Sequence, residues 1–89
     1  MFEDETTIAW PATPRHAPVV DAQGHEIGAV SRVLGDESED IFHGVAMRRV
    51  HDGQAVEIPA ARIKRITVGH VITDLSSDEV AQLAPYRRG

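Results

Sequence analysis

Cysteine is absent from the chain. That excludes a disulfide framework, a cysteine nucleophile and any thiolate metal site. Aromatic residues make up only 4% of the sequence, with a single Trp and a single Tyr. No apolar run approaches the roughly 20 residues that span a bilayer. The opening Met-Phe-Glu-Asp-Glu-Thr-Thr is acidic and has no apolar core, so it does not read as a secretory signal. Positive charge is also scarce: nine Lys and Arg stand against fourteen Asp and Glu, net −5. A generic nucleic-acid binder is normally basic, so nucleic acid is not the expected partner. These absences leave a small soluble domain, expected in the cytoplasm and without a membrane span.

The 89 residues are enough for one domain, and the 42% apolar fraction is too high for a chain disordered throughout. A chain this short buries only about 60–65% of the surface its unfolded form exposes, so its core is small. Charge is segregated along it. Residues 1–40 carry nine acids and two bases, net −7, whereas residues 41–89 carry five acids and seven bases, net +2. Segregation of this kind can steer a partner or support association between copies. It equally suits solvated loops and strand faces.

Residues 1–18 read as an arm. Pro11, Pro14 and Pro18 lock their own φ and push each preceding residue away from the helical region. Ile8 and Trp10 are the only large apolar groups of the arm after Phe2. Trp10 has two open roles: folding back over an apolar rim, or contacting a partner from a mobile arm. Burial of an indole is worth a few kcal/mol, which favours folding back.

From residue 19 onward the pattern is β. Val19-Val20 leads into Asp21-Ala22-Gln23-Gly24, a turn with Asp and Gly at their usual places. Ile27 to Leu34 reads as a strand whose apolar parity slips near Gly28, predicting a bulge or sharp bend there. Ile41 to Val50 is the longest strand, apolar on both faces and therefore central or strongly curved. His51-Asp52-Gly53-Gln54 carries an Asp-Gly hairpin signal. The strand from Ala55 to Ile58 ends at Pro59, which has no donor. Lys64 to Val68 and His70 to Leu75 are two more short strands about Gly69. Five or six short strands with tight turns predict a closed or nearly closed small barrel. The period then changes. Ser76-Ser77-Asp78-Glu79 is a capping box, and Val80 with Leu83 marks one face of a helix about two turns long, closed by Pro85. Residues 85–89 form a tail.

The stretch from Val19 through Asp21, Gly24, Ile27 and Gly28 to Val30 resembles the opening of a PRC-barrel domain. That family begins with a strand, an Asp…Gly turn and an Ile/Val-Gly-x-Val strand. Val56-Glu57-Ile58-Pro59-Ala60-Ala61-Arg62-Ile63 resembles the later family segment in which a strand ends at Pro. Val71-Ile72-Thr73-Asp74-Leu75 and the Ser-Ser-Asp-Glu helix also fit, so the resemblance spans about residues 17–84. It implies a small, strongly bent antiparallel β-barrel with a short C-terminal helix. Members occur in the cytoplasmic part of the photosynthetic reaction centre H subunit and in a ribosome maturation factor that binds a ribosomal protein. Others stand alone without assigned activity. The family has no catalytic residue set to carry over, and the arm matches nothing in its pattern.

Chemistry-bearing constellations are sparse. The five histidines, His16, His25, His43, His51 and His70, have neither helical i, i+4 nor short-loop zinc spacing. Asp36-Glu37-Ser38-Glu39-Asp40 lacks the alternating ligands and mid-loop Gly of an EF-type loop. No Gly-x-Ser-x-Gly turn or Gly-rich phosphate loop occurs. The sequence therefore predicts no enzyme, no cofactor and no metal. The expected function is a non-catalytic protein-interaction or assembly module of PRC-barrel type. Trp10, Arg48, Arg49, Arg62 and Arg65 are its candidate contact residues. Two alternatives stay open: a small-ligand or metal-binding barrel, and an RNA- or ribosome-associated accessory module using the same arginines with Lys64. A homodimer is also expected, on the reasoning that Val45, Met47 and Ile72 lie on strands apolar on both faces and leave surface uncovered.

Overall fold

The computed structural model describes residues 6–86. The acidic Glu3-Asp4-Glu5 run, Phe2 and the Arg87-Arg88 pair lie outside the described residues. Six strands form one mixed sheet: β1 Pro18–Val20, β2 Glu26–Asp36, β3 Ile41–Arg49, β4 Ala55–Pro59, β5 Ile63–Ile66 and β6 Val71–Thr73. A single short helix follows, α1 Ser77–Ala81. The strand order is β4-β3-β2-β1-β6-β5. Four of the five neighbouring pairs are antiparallel. The fifth, β1 with β6, is parallel, with Val19 opposite Val71 and Val20 opposite Ile72. The expected all-antiparallel arrangement is therefore corrected at this pair. Strands joined by tight turns must run antiparallel, but β1 and β6 meet across most of the chain, so no turn dictates their direction.

The two outer strands, β4 and β5, are not paired with each other, and each is covered by a terminal segment instead. At β5, the amide of Ile8 donates to the Ile66 carbonyl at 3.0 Å and, just past the strand's end, that of Val68 to the Thr6 carbonyl at 3.0 Å. On β4, Glu57 N–H donates to Ala84 O and Tyr86 N–H to Ala55 O, both at 2.9 Å. Free strand edges invite pairing with other chains, and this chain occupies part of both with its own ends.

The core gathers Val19, Ile27, Val30, Val45, Met47, Val56, Ile58, Ile66, Val71, Leu75 and Val80, so every strand contributes to it. In β3 residues of both parities are buried from Gly44 to Met47, matching the two-faced apolar pattern, and the strand is central, between β2 and β4. At nine residues it is not the longest strand expected from the sequence; β2, with eleven, is longer. The parity slip in β2 is a bulge, located at Ile27, since Val19 faces Gly28 while Val20 faces Glu26. Gly28 itself answers a packing need. A Cβ there would collide with the Arg48 carbonyl oxygen and the Met47 side chain, so only Gly lets β3 pass this closely.

The turn before β2 is built by Asp21, whose buried carboxylate accepts from the amides of Gln23 and His25 at 2.9 Å each. Pro59 ends β4, and a 3-10 turn over Ala60–Arg62 leads into β5. Thr67 organises the turn before β6: its hydroxyl accepts from the amides of Gly69 and His70. At α1 the capping box is complete. Glu79 N–H donates to Ser76 Oγ at 3.2 Å and Ser76 N–H to Glu79 Oε1 at 2.9 Å. The helix is five residues long, shorter than the two turns expected. Among the described residues, no helix is long and apolar enough to cross a membrane.

Candidate interaction surface

The candidate contact residues do not converge. Trp10 sits in a 3-10 turn over Trp10–Ala12, with Pro11 inside it. Its ring stacks on Phe42, centroids 5.3 Å apart and planes 20° from parallel. Its Nε1–H donates to Asp40 Oδ1 at 3.2 Å. The ring covers Gly35, where a Cβ would come within 2.8 Å of the indole. Of the two roles open to Trp10 in the sequence, the structure shows folding back, here onto the β2–β3 hairpin.

Arg49 and Arg62 act as internal clamps on α1. Arg49 reaches from the end of β3 to donate to the Val80 carbonyl at 2.9 Å and the Ala81 carbonyl at 3.4 Å. A cation at a helix C-terminus satisfies carbonyls that lack intrahelical partners. The same guanidinium grips Asp52, with Nε on Oδ1 at 3.1 Å and Nη2 on Oδ2 at 2.7 Å. That grip, together with a bond from the Gln54 amide, holds the Asp52 carboxyl down at a pKa of about 2. Arg62 donates to Asp74 Oδ1 at 2.7 Å and to both Glu79 oxygens at 2.8 and 2.9 Å. The Arg62 contact holds Glu79 at a pKa of about 2. A helix this short has little stability of its own. These two arginines, with Val80 in the core and Leu83 packed against it, seat the helix.

Arg65 lies exposed on β5, opposite Ile72. Arg48 lies exposed on β3 and donates to the Gly53 carbonyl at 2.9 Å. Arg48 also belongs to a groove of about 270 Å³ at the start of the β3–β4 turn. Gly28, Ala29 and Gly53 keep its walls low, Glu26 and Arg48 lie on its rim, and Val50 is 65% exposed within it. Two other hollows flank α1. One, of about 230 Å³, lies against Arg49, His51 and Val80; the other, of about 210 Å³, lies between Pro59, Arg62 and Leu83. All three are smaller than the roughly 300–1,000 Å³ of ordinary small-molecule sites. Among the described residues, no three His, Asp or Glu side chains form a cluster able to hold a metal ion.

The sequence reading missed Val50 and Glu26. Val50 shares the outward parity of Arg48, immediately before a turn, and an apolar residue in that place was a readable signal. Conversely, Val45 and Met47 are fully buried and Ile72 is 4% exposed, so the residues on which the dimer argument rested are consumed by the fold. No protein-family model matches the chain, and no curated protein matches it.

Proposed function

We propose that this chain is a non-catalytic protein-interaction module of PRC-barrel type that docks through the groove around Val50. A single six-stranded sheet backed by one five-residue helix must curl to enclose a core shared by all its strands, which supports the barrel-type reading. The observation that carries the docking reading is Val50 itself: an apolar side chain 65% exposed, in a shallow groove of small residues, between rim charges of opposite sign. Small residues let a partner surface approach closely, and an apolar centre with a charged rim is the usual anatomy of a contact patch.

The occupant that fits is a second copy. A twofold contact places the same patch on both sides, and an arrangement that sets Glu26 of one protomer against Arg48 of the other makes that pairing twice. Sedimentation equilibrium at tens of micromolar should give about twice the 9.7 kDa chain mass. Val50→Asp should return it to monomer, and a photoreactive side chain at position 50 should link copy to copy. A monomer at all concentrations, with position 50 linking to a different protein, transfers the groove to another partner. A monomer that links to nothing removes the docking reading.

A further inference from the structure

Among aspartate linkages, one followed by glycine is the most prone to rearrange unaided, because glycine puts no side chain in the way of attack by its own amide nitrogen on the aspartate carboxyl. The chain has one such pair, Asp52-Gly53, and it lies in the exposed turn between β3 and β4. Both reacting groups are held by one residue. The Arg49 guanidinium occupies both carboxylate oxygens of Asp52, at 3.1 and 2.7 Å. The Gly53 N–H, the future nucleophile, donates to the Arg49 main-chain carbonyl at 2.8 Å. A third contact, from the Gln54 amide to Asp52 Oδ1 at 3.1 Å, fixes the side chain further.

We infer that Asp52 is a covalent modification site, where isoaspartate forms through a succinimide, and that Arg49 is the residue restraining it. The step is redox-neutral and needs only water. The reactive form is the protonated carboxyl. The Gly53 nitrogen bonds to Cγ of Asp52 and gives up its proton, while the Cγ–OH bond breaks and one water leaves. Water then opens the five-membered ring. Opening at Cγ restores aspartate; opening at the α-carbonyl leaves the main chain running through the side-chain carbon, with the carboxylate on Cα. The product has the composition of the starting chain but one more carbon in its backbone.

The restraint has two parts. Ionic pairing with Arg49, aided by the Gln54 amide and by His51 nearby, keeps the carboxyl ionised. A carboxyl at about 2 is protonated less often than one at the ordinary 3.8 by a factor on the order of 60 at neutral pH. The hydrogen bond to the Arg49 carbonyl adds a geometric restraint, because the amide must leave it to attack. The lesion also has a reach. A displaced carboxylate releases the guanidinium that seats the end of α1, and it reshapes the turn whose Gly53 lines the Val50 groove.

The test ages the full chain, Arg49→Gln, Arg49→Lys and a free peptide containing Arg49 to Gln54, side by side at mildly acidic pH. Isoaspartate is read by enzymatic methyl transfer and by electron-transfer fragmentation, and succinimide by the loss of one water mass. The peptide, free of both restraints, should accumulate product fastest, on the order of tenfold or more above the native chain. Arg49→Gln, which keeps the main-chain bond to the Gly53 amide, should age several-fold faster than the native chain but slower than the peptide, and Arg49→Lys, which keeps charge without the two-pronged grip, should fall between Arg49→Gln and the native chain. A native chain ageing as fast as the peptide overturns the inference. So does a folded Arg49→Gln, checked by circular dichroism, that ages at the native rate. Should Arg49→Gln fail to fold, Arg49→Lys decides: a rate equal to the native one overturns it, a faster one supports it.

Discussion

Replacing Gly53 isolates a single physical term. Gly53 has φ +70° at the β3–β4 turn, and a Cβ built on it would meet no atom within 4 Å. Its backbone contacts, donation to the Arg49 carbonyl and acceptance from Arg48 Nη1, survive any side chain. The cost of substitution is therefore the left-handed conformation alone. For Ala that cost is about 1–2 kcal/mol, and it is larger for a β-branched residue. Asn tolerates the region and should cost clearly less. A domain of this size has roughly 4–13 kcal/mol in hand, so Gly53→Val should stay folded but visibly weaker. With a urea slope of about 1–1.5 kcal/mol/M, Gly53→Ala should lower the unfolding midpoint by about 1 M. In a thermal melt the same loss appears as about 4–8 °C for each kcal/mol. The ordering Gly, Asn, Ala, Val should hold in both assays. An unchanged midpoint for Gly53→Val refutes the turn conformation, and Asn costing as much as Val refutes the φ argument by pointing to shape instead.

Ser76→Ala should cost about 0.5–2 kcal/mol by removing the acceptor for Glu79 N–H, measurable as a lowered urea midpoint. Amide shifts that show no helix over residues 77–81 in the parent chain would contradict the basis of that value. The carboxyls of Glu79 and Asp52 are held near 2 in the fold, below their ordinary 4.5 and 3.8. Their contribution to stability is thus complete above about pH 4.5 and is lost as the pH falls toward 2. Arg62→Gln should flatten that acid limb, and a midpoint-versus-pH profile with the native slope would show that the pairing with Glu79 does not set it. Trp10→Ala should lower stability by about 1–3 kcal/mol through loss of its packing on Phe42 and Gly35. Native Trp10 emission that acrylamide quenches as readily as free indole would count against that packing.

Local chemistry was legible in the sequence wherever one short segment decides the outcome. Asp21 builds its turn from amides two and four residues ahead, Ser76 and Glu79 cap a helix within one turn, and Pro59 stops a strand by lacking a donor. Alternation and breakers also placed most of the strands, because burial on a pleated sheet has a period of two. The sequence did not carry which distant segments meet. The parallel pairing of β1 with β6 joins residues some fifty positions apart, and nothing in either strand's own pattern fixes direction. The roles of Arg49 and Arg62 were hidden for the same reason. Read along the chain they are cations available to a partner; in three dimensions Arg49 finds helix carbonyls about thirty residues away and Arg62 finds the carboxylates of Asp74 and Glu79, and each is held there. Trp10 had two roles open until the fold brought Phe42, Gly35 and Asp40 beneath and beside its ring. The outward parity of Val50 was readable, but the groove around it was not: Gly28 and Ala29 of β2 and Gly53 of the turn come together there only in the fold. Hydrogen bonds within a turn depend on a handful of dihedral angles, whereas contacts across a sheet depend on how the whole chain closes on its core.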